Sequence, residues 1–370
     1  MADPNASVRA VLEDLVAQGP EIGLQVAAYL DGKLVIDTWA GLADPATNRP
    51  VDGDTLFMLS STTKGVTATC AHVLADKGKL DYDRPVAYYW PEFGAHGKDK
   101  VTVRDVLAQR SGVPQTPVGY TPEWLADWDR MCRGIADLTP MFEPSIRTAY
   151  ASCTYGNMVG EVIRRIDGRP IGQFLQEEIA TPLGGIDLYL GAPDAALPRV
   201  AVLTDAPPAP PDYDARMVGE PAGSQVAKWF NQRAIQQSAI PGSGGIMSAR
   251  GLARMYAMLA NGGELDGVRV LAPESIARGI ELQSFEWDEV YHVRVRRALG
   301  YRRAQDCGPK AGPSAFGHVG GGGSFGYADP ERKFAIGFAK NYFTYNTGGP
   351  PQRRAGLEVA QAVVSALGGW

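Results

Sequence analysis

The sequence has few of the residues that would indicate a metal site or a disulfide framework. Its 370 residues include four histidines, none at metal-ligand spacing, and four cysteines with no C-x-x-C pair. The scattered cysteines are therefore expected to be buried free thiols, and no zinc site is expected. They are Cys70, Cys132, Cys153 and Cys307.

Long apolar runs and an excess of one charge are also lacking. No stretch of about eighteen apolar residues occurs, and residues 1–19 lack the basic start and uninterrupted apolar core of a signal peptide. The net charge is −5 and no basic run interrupts the sequence, so no nucleic-acid surface is expected. These absences predict a cytoplasmic protein that binds neither nucleic acid nor a membrane.

Strand patterns occur at both ends of the chain. Residues 24–41 contain two β-rich runs separated by Asp31-Gly32-Lys33, a spacing that predicts a hairpin. Residues 325–341 contain two more short runs around an Asp-Pro turn, and a helical pattern follows at residues 356–368. This arrangement predicts one antiparallel sheet assembled from the two ends, and not a doubly wound fold.

The middle of the chain has mostly helical patterns interrupted by proline. A proline-rich stretch at residues 205–217 is expected to form a surface loop. We therefore predict an α+β fold in which residues 1–65 and 235–370 form a sheet domain and residues 66–234 form a mostly helical domain. The active site is expected at the junction of the two domains.

Residues 57–66, FMLSSTTKGV, begin a helical pattern that contains two adjacent serines. Positions i and i+3 of a helix share a face, so the Ser61 hydroxyl and the Lys64 ammonium can meet, whereas Ser60 has no basic residue at that offset. A lysine that is removed from water can help to activate a serine as a nucleophile. Taken alone, the four residues from Ser61 to Lys64 more often mean a helix N-cap followed by a solvated lysine.

Ser324 lies in a glycine-rich segment, Gly322 to Gly326, that has the form G-x-S-x-G. A hydrolase nucleophile elbow requires a strand before its serine and a helix after it, but glycines precede Ser324 and an Asp-Pro turn follows it. The nearest histidine, His318, precedes the serine, whereas that fold places its histidine after it. An overlapping G-x-G-x-x-G pattern lacks a βαβ context and does not indicate nucleotide binding.

Three short motifs occur in an order that is typical of one family. The chain resembles the serine hydrolases of the class C β-lactamase and penicillin-binding-protein type, and within them the family VIII carboxylesterases. The residues Ser61-Thr62-Thr63-Lys64 take the S-x-x-K position, Tyr150-Ala151-Ser152 takes the Y-x-N position, and His318-Val319-Gly320 takes the K-T-G position. The resemblance extends over nearly the whole chain and implies the β-lactamase/transpeptidase-like fold.

The resemblance also implies a mechanism. Ser61 would attack an acyl carbonyl and form an acyl-enzyme, with Lys64 and Tyr150 sharing its proton; which of these two is the base stays open. A tyrosine beside an ammonium is expected to have a lowered pKa. The oxyanion hole would consist of the backbone N–H groups of Ser61 and Gly321. The resemblance implies neither a metal nor a cofactor.

Two departures from the family pattern bear on the substrate. His318 replaces the lysine that attracts a substrate carboxylate in β-lactamases and transpeptidases, and histidine is largely neutral near pH 7. Ser152 replaces the asparagine that holds the amide side chain of the substrate. Both changes weaken a β-lactam or peptide function, and His-x-Gly is usual in the esterase branch.

We therefore expect a serine carboxylesterase that acts on small or medium esters. The alternatives are a transacylase that passes the acyl group to an amine or alcohol in secondary metabolism, an amidase or β-lactamase, and a non-catalytic ligand-binding protein. The expected partner is a small-molecule ester or acyl donor, and the sequence does not indicate an oligomeric state. Gly320 allows a ligand to approach the backbone closely and is a candidate substrate-binding residue, as is Trp229. Other aromatic candidates for the acyl pocket, each also able to be ordinary core, are Tyr120, Trp124, Trp128, Phe230, Trp287 and Phe343.

Overall fold

A nine-stranded antiparallel sheet joins the two ends of the chain. The computed structural model describes residues 3–206, 226–344 and 355–369. The strands in these residues are β1 (Gly23–Leu30), β2 (Lys33–Asp44), β3 (Arg49–Pro50), β4 (Phe57–Met58), β5 (Leu188–Tyr189), β6 (Thr204–Asp205), β7 (Ile246–Met247), β8 (Glu264–Leu265), β9 (Val268–Arg269), β10 (Ser284–Trp287), β11 (Arg294–Arg297), β12 (Arg302–Arg303), β13 (Phe316–Val319), β14 (Phe325–Asp329), β15 (Phe334–Lys340) and β16 (Tyr342–Phe343). The order of the nine-stranded sheet is β10-β11-β12-β13-β14-β15-β1-β2-β3.

Most helices lie between the strands of the two chain ends. They are α1 (Pro4–Gln18), α2 (Thr63–Asp76), α3 (Val86–Tyr89), α4 (Val103–Leu107), α5 (Pro122–Ala126), α6 (Trp128–Ala136), α7 (Thr154–Asp167), α8 (Ile171–Leu175), α9 (Val226–Phe230), α10 (Arg233–Gln236), α11 (Ala249–Ala260), α12 (Pro273–Ile280) and α13 (Ala355–Ala366). A π-helical turn follows α8 at Gln176–Ala180, and 3₁₀ turns occur at Pro91–Gly97, Leu197–Arg199, Ala304–Asp306, Gly321–Gly323 and Pro330–Arg332.

The centre of the sheet is buried on both faces. β1 pairs with β2 on one side and with β15 on the other, so that Val26 lies opposite Phe338. Because side chains alternate along a strand, Val26 and Ala28 pack with α1 and α13, whereas Ala27 and Tyr29 join the core that contains α11. The apolar character of β1 on both faces follows from this double burial.

The helix α2 lies at the centre of the molecule. All residues from Thr63 to Ala75 are buried, and the helix contacts α7 of the helical insertion as well as β13 and α12. A helix that is covered all round needs small and apolar residues on every face. This explains why TKGVTATCAHVLA has no charged residue after Lys64. The start of α2 is therefore held in place from several directions.

The structure confirms the predicted fold class and the hairpin at its beginning. The antiparallel sheet combines strands from both ends of the chain, with a helical insertion between them. The four cysteines are free and buried. Of the proline-rich stretch at 205–217, residues 207–217 lie outside the described residues, and the domain boundaries at 65/66 and 234/235 stay a prediction. Among the helices of the described ranges, none is long and apolar enough to cross a bilayer.

Candidate active site

Ser61 and Lys64 meet at the start of α2. Ser61 lies in the turn that leads into the helix, and the Lys64 backbone N–H donates to the Ser61 carbonyl at 3.0 Å. This turn brings the Lys64 Nζ within 3.4 Å of the Ser61 Oγ. The neighbouring Ser60 has a positive φ of 46°, and the hydroxyl of Thr63 donates to its carbonyl at 2.5 Å. The i to i+3 offset therefore places the lysine beside Ser61, as expected from the sequence.

The Lys64 side chain is fully buried, and three of its polar contacts are with neutral groups. Its Nζ donates to the backbone carbonyls of Ser152 at 2.6 Å and Gly242 at 2.8 Å, in addition to the contact with Ser61. An ammonium has three protons, and these three acceptors satisfy them. A neutral amine has two protons, which the two closer carbonyls can take, so that its lone pair points to the Ser61 hydroxyl. The site therefore suits both protonation states of the amine.

The Tyr150 segment is fixed by a glutamine from the loop after α4. Gln109 has a positive φ of 62°. Its backbone carbonyl accepts from the Ala149 N–H at 2.9 Å, and its side-chain oxygen accepts from the Ala151 N–H at 2.8 Å. These contacts hold the backbone on both sides of Tyr150. Ser152 follows in the same segment and contributes its carbonyl to Lys64.

The Tyr150 ring lies beside the lysine, with the Lys64 Nζ 4.6 Å from the ring centroid. Burial raises the pKa of Tyr150 above its usual value, although Arg302, Ser61, Tyr291 and Arg297 each oppose the shift. The expected lowering of this pKa is therefore wrong, because removal of the hydroxyl from water outweighs the nearby cations. Side-chain hydrogen bonds with Ser61 and Tyr291 are among the interactions that oppose this rise in the pKa of Tyr150.

His318 lies on β13, and its ring is 6.2 Å from the Tyr150 ring. Burial lowers the pKa of His318 well below its usual value, and the cations Arg302, Lys64 and Arg297 lower it further. The imidazole is therefore neutral near pH 7. Its Nδ1 lies 2.7 Å from the Val319 carbonyl, which can only accept, so Nδ1 carries the proton and Nε2 is the acceptor.

The glycine run after β13 brings the backbone close to Ser61. A Cβ on Gly320 would lie only 2.5 Å from the Leu59 carbonyl oxygen, so a side chain at this position would push the loop away from the segment before Ser61. The next residue, Gly321, lies beside Ser60, whose Oγ would be 3.2 Å from its Cβ. Within the described residues, the backbone N–H groups of Ser61 and Gly321 donate to no other group. Both N–H groups are therefore available to an oxyanion.

Ser324 has a structural environment. Its hydroxyl is buried, donates to the Leu59 carbonyl at 2.9 Å and lies 3.1 Å from the Thr62 hydroxyl. These contacts tie the glycine run to the turn that contains Ser61. The G-x-S-x-G pattern is thus followed by strand β14 and not by a helix, as the sequence indicates.

Sequence reasoning missed a hairpin that holds Tyr150 from the other side. Asp288 lies between β10 and β11 and is fully buried. One of its oxygens accepts from the N–H groups of Tyr291 at 2.9 Å and Tyr150 at 3.4 Å, and the other pairs with Arg297. The Tyr291 ring consequently lies 4.6 Å from the Tyr150 ring. The only sequence signal was an aspartate between two aromatic residues, Trp287 and Tyr291, which has no distinctive spacing.

An apolar cavity adjoins Ser60 and Ser152. Cys153 lies in its wall. Four of the seven aromatic residues that the sequence suggested also line it: Tyr120, Trp229, Phe230 and Phe343. The other three lie elsewhere. Trp124 packs under Arg130, the Trp128 indole N–H donates to Glu161 at 2.8 Å, and Trp287 is half exposed on β10.

Comparisons with known proteins agree on one family. Residues 8–361 match the family model described as Beta-lactamase. The chain is 37% identical over 339 residues to the Esterase/beta-lactamase LipL of Mycobacterium tuberculosis. The aligned region covers 86% of this chain and 77% of the relative. A crystal structure of a family VIII carboxylesterase superposes with a TM-score of 0.89 at 36% identity and covers 99% of this chain and 98% of that one. A penicillin-binding-protein homologue from Caulobacter crescentus gives a TM-score of 0.86 at 34% identity, with 98% of each chain covered.

Proposed function

The chain belongs to the β-lactamase family and is a serine esterase of that family, and we propose that it cleaves small or medium carboxylic esters through an acyl-enzyme on Ser61. The observation that carries this proposal is the contact of 3.4 Å between the Ser61 Oγ and the Lys64 Nζ. Two further contacts of Nζ are with backbone carbonyls, which cannot donate a proton. Ser61 is therefore the one of the three partners that can give a proton to the amine.

In the first step, the Ser61 Oγ attacks the ester carbonyl while its proton passes to a neutral Lys64 amine. The raised pKa of Tyr150 supports this assignment, because a phenol that is protonated near pH 7 starts the reaction as a donor and not as an acceptor. The C=O double bond opens, and its electron pair becomes the negative charge of a tetrahedral oxyanion. The N–H groups of Ser61 and Gly321 stabilise that charge.

In the second step, the tetrahedral intermediate collapses and the C–O bond to the alcohol breaks. Tyr150 gives its proton to the leaving oxygen, and the Lys64 ammonium, which lies over the Tyr150 ring, returns a proton to Tyr150. Water then attacks the acyl-enzyme by the reverse sequence of proton transfers. The products are a carboxylic acid and an alcohol.

The acyl group is proposed to lie at the small apolar cavity beside Ser60 and Ser152, whose volume is about 20 Å³. Tyr120, Trp229, Phe230 and Phe343 supply its aromatic walls, which favour an uncharged acyl chain. The neutral His318 contributes no fixed charge to the site, in keeping with an ester substrate.

The test uses p-nitrophenyl acetate and butyrate, with intact mass spectrometry to detect acylation. We expect the wild type to release p-nitrophenol and to gain the mass of one acyl group. Ser61→Ala should lose at least about 10⁴-fold in kcat, which is the scale seen when a nucleophile is removed.

The matched control is Ser60→Ala, which removes the adjacent hydroxyl that has no lysine at the i+3 position. This variant should still be acylated on Ser61, and its turnover should fall far less than that of Ser61→Ala. Equal turnover by Ser61→Ala and the wild type, or an acyl group mapped to another residue, would contradict the proposed nucleophile.

A further inference from the structure

Gly321, one of the two proposed oxyanion donors, lies in a turn that has no side chains of its own. The turn runs from Gly320 to Gly323, and the Gly323 N–H donates to the Gly320 carbonyl at 3.1 Å. Gly322 has a positive φ of 86°. Because glycine adopts several backbone conformations at little cost, contacts from outside must select one of them. The direction of the Gly321 N–H therefore depends on what surrounds the turn.

One side of the turn is held by the segment before Ser61. The Gly320 N–H donates to the Ser324 carbonyl at 2.7 Å, and the Ser324 hydroxyl donates to the Leu59 carbonyl at 2.9 Å. These hydrogen bonds fix the beginning and the end of the glycine run. None of them involves its two middle residues, Gly321 and Gly322.

Thr344, the residue that follows β16, holds the middle of the turn by two hydrogen bonds. The Gly322 N–H donates to the Thr344 carbonyl, and the Thr344 hydroxyl donates to the Gly322 carbonyl, both at 3.2 Å. One residue thus fixes the peptide groups on both sides of the Gly322 Cα. If the peptide group between Gly321 and Gly322 rotated, the first of these hydrogen bonds would be lost.

Phe343, the last residue of β16, packs on the same two glycines. A Cβ on Gly321 would lie 3.1 Å from the Phe343 ring, and a Cβ on Gly322 would lie 2.9 Å from it. The Phe343 side chain is buried and also lines the cavity beside Ser60. The ring therefore lies between the cavity proposed for the acyl group and the turn that carries the oxyanion donor.

β16 is joined to the helix that supplies other walls of the cavity. It pairs in parallel with β6, with Phe343 opposite Asp205. The Asp205 side chain accepts from the Ala227 N–H of α9 at 3.0 Å, and Trp229 and Phe230 of this helix line the cavity. The cavity wall and the strand that supports the glycine turn are therefore parts of one hydrogen-bonded unit.

We propose that Phe343 and Thr344 are positioning residues of the oxyanion hole, which hold the glycine turn so that the Gly321 N–H points to the tetrahedral oxyanion. This inference rests on the proposed function, in which Gly321 is an oxyanion donor. A fixed donor stabilises the charge of the transition state more than it stabilises the uncharged ester. Acylation and deacylation both pass through a tetrahedral oxyanion, so loss of the positioning should lower kcat and leave KM nearly unchanged.

The first test replaces the Thr344 hydroxyl by a methyl group. Thr344→Val should lower kcat for p-nitrophenyl butyrate, measured per titrated active site, by roughly tenfold, the effect of one hydrogen bond. Thr344→Ser keeps a hydroxyl and should restore most of kcat. Thr204→Val, the matched control, makes the same substitution on the neighbouring strand β6 and should have the kcat of the wild type.

The second test measures the binding of a transition-state analogue. With trifluoromethyl butyl ketone, the Ser61 Oγ bonds to the carbonyl carbon, its proton passes to the Lys64 amine, and the C=O electron pair becomes the charge of a hemiketal oxyanion. Methyl butyl ketone has a similar shape and remains a ketone. Thr344→Val should raise the inhibition constant of the fluorinated ketone roughly tenfold and that of the other ketone hardly at all.

The contribution of Phe343 is tested against another wall of the same cavity. Phe343 packs on the glycine turn, whereas Phe230 packs beside Gly244. Phe343→Leu should weaken the fluorinated ketone more than the methyl ketone. Phe230→Leu should change the inhibition constants of both ketones by the same factor, because it alters the cavity and not the oxyanion hole. This comparison also decides the proposal if Thr344→Val does not fold.

Several outcomes would overturn the proposal. They are a Thr344→Val enzyme with the kcat of the wild type, a Thr344→Ser enzyme as slow as Thr344→Val, and a ratio of the two inhibition constants that neither Thr344→Val nor Phe343→Leu changes. An equal fall of kcat in Thr204→Val would also overturn it, because the effect would then come from the strand pair and not from the Thr344 hydroxyl.

Failure of the proposed function has a different signature. A wild type that binds both ketones equally forms no hemiketal, which contradicts Ser61 as the nucleophile and this inference with it. If the wild type binds the fluorinated ketone more tightly and Ser61→Ala does not, the acyl-enzyme mechanism stands. The variants of Thr344 and Phe343 then decide the positioning role by themselves.

Discussion

Lys64 in the cleft and Lys98 in the helical insertion are both fully buried, but Lys64 also contacts a hydroxyl. The Lys98 Nζ donates to three backbone carbonyls, those of Ala95 at 2.8 Å, Ala136 at 3.0 Å and Leu138. Lys64 has two carbonyls in the same role, and its Nζ also contacts the Ser61 hydroxyl.

The contact with the Ser61 hydroxyl distinguishes Lys64, which can take part in proton transfer, from Lys98, whose role is structural. A carbonyl oxygen can only accept, so the three acceptors around Lys98 hold an ammonium and tie together segments distant in sequence. Burial lowers the pKa of Lys98 from its usual value, and Asp137 partly offsets this. A hydroxyl can also donate, so the Lys64 site allows a proton to move between the two partners. Burial alone therefore does not indicate a catalytic lysine, since both side chains share it.

The largest difference is expected from removal of the Lys64 amine. Lys64→Met should lower kcat by roughly 10³-fold, the range over which a positioned acid or base contributes. The measurement is steady-state hydrolysis of p-nitrophenyl butyrate at neutral pH. Lys79→Met, which replaces an exposed lysine just beyond α2, is the control and should have the kcat of the wild type. A Lys64→Met enzyme with undiminished kcat would mean that Lys64, like Lys98, is not needed for catalysis.

The opposite result is expected for the lysine of the helical insertion. Lys98→Met should lower the free energy of unfolding by about 3 kcal/mol, because it leaves three buried carbonyls without donors. The kcat per folded molecule should stay that of the wild type. Urea denaturation and active-site titration measure the two quantities, and Lys100→Met, at an exposed position two residues further on, is the matched control. Loss of kcat with an unchanged free energy of unfolding would mean that Lys98 has a catalytic role and not a structural one.

A second buried base on α2 should behave like Lys98. His72 contacts the Tyr82 hydroxyl at 2.7 Å and the Leu299 carbonyl at 3.0 Å, and burial lowers its pKa from 6.5 to about 4. As the pH falls from 6.5 to 4, the unfolded chain binds a proton at this residue that the folded protein does not. The free energy of unfolding should therefore fall by about 3 kcal/mol as the pH falls through this window. The full contribution of neutral His72 to stability is present above pH 6.5.

The His72 prediction is checked by the difference between two pH profiles of unfolding free energy. Subtracting the profile of His72→Gln from that of the wild type removes the contribution of the carboxyl groups that titrate in the same range. The difference should decline between pH 6.5 and 4 and level off below that. A flat difference curve would show that His72 is not buried as a neutral base.

The smallest effect is expected at Ser324. This prediction compares Ser324 with Ser61, the other buried serine of the site, as Lys98 was compared with Lys64. Ser324→Ala removes a hydroxyl that donates to the Leu59 carbonyl and should lower the free energy of unfolding by about 1 kcal/mol. Acylation should still occur on Ser61, as shown by peptide mapping of the acyl-enzyme. Loss of acylation in this variant would instead indicate that Ser324, the serine of the G-x-S-x-G pattern, is the nucleophile.

Much of the fold followed from patterns within short segments. The Asp31-Gly32 turn predicts the hairpin that the structure contains between β1 and β2, and the strand patterns at 325–341 predict β14 and β15. These features depend on side-chain alternation and on turn geometry, which neighbouring residues decide. The sheet itself, assembled from both ends of the chain, was inferred from the positions of those segments.

The surroundings of Tyr150 were not predictable in the same way. Asp288 and Tyr291 lie about 140 residues further along the chain, as the separation between Asp288 and Tyr150 shows, and no motif marks them. Gln109 reaches the same segment from the opposite direction. Hydrogen bonds between segments so far apart leave no periodic trace in the sequence.

The sequence by itself determined the pairing of Ser61 with Lys64, because the three-residue offset fixes their proximity once the turn into α2 forms. Only the tertiary structure decided how the site is charged. Burial raises the pKa of Tyr150 where the sequence suggested a lowered one, and Arg302 reaches Tyr150 from another strand. Desolvation and Coulomb interactions depend on distances in space, and the order of residues along the chain does not contain those distances.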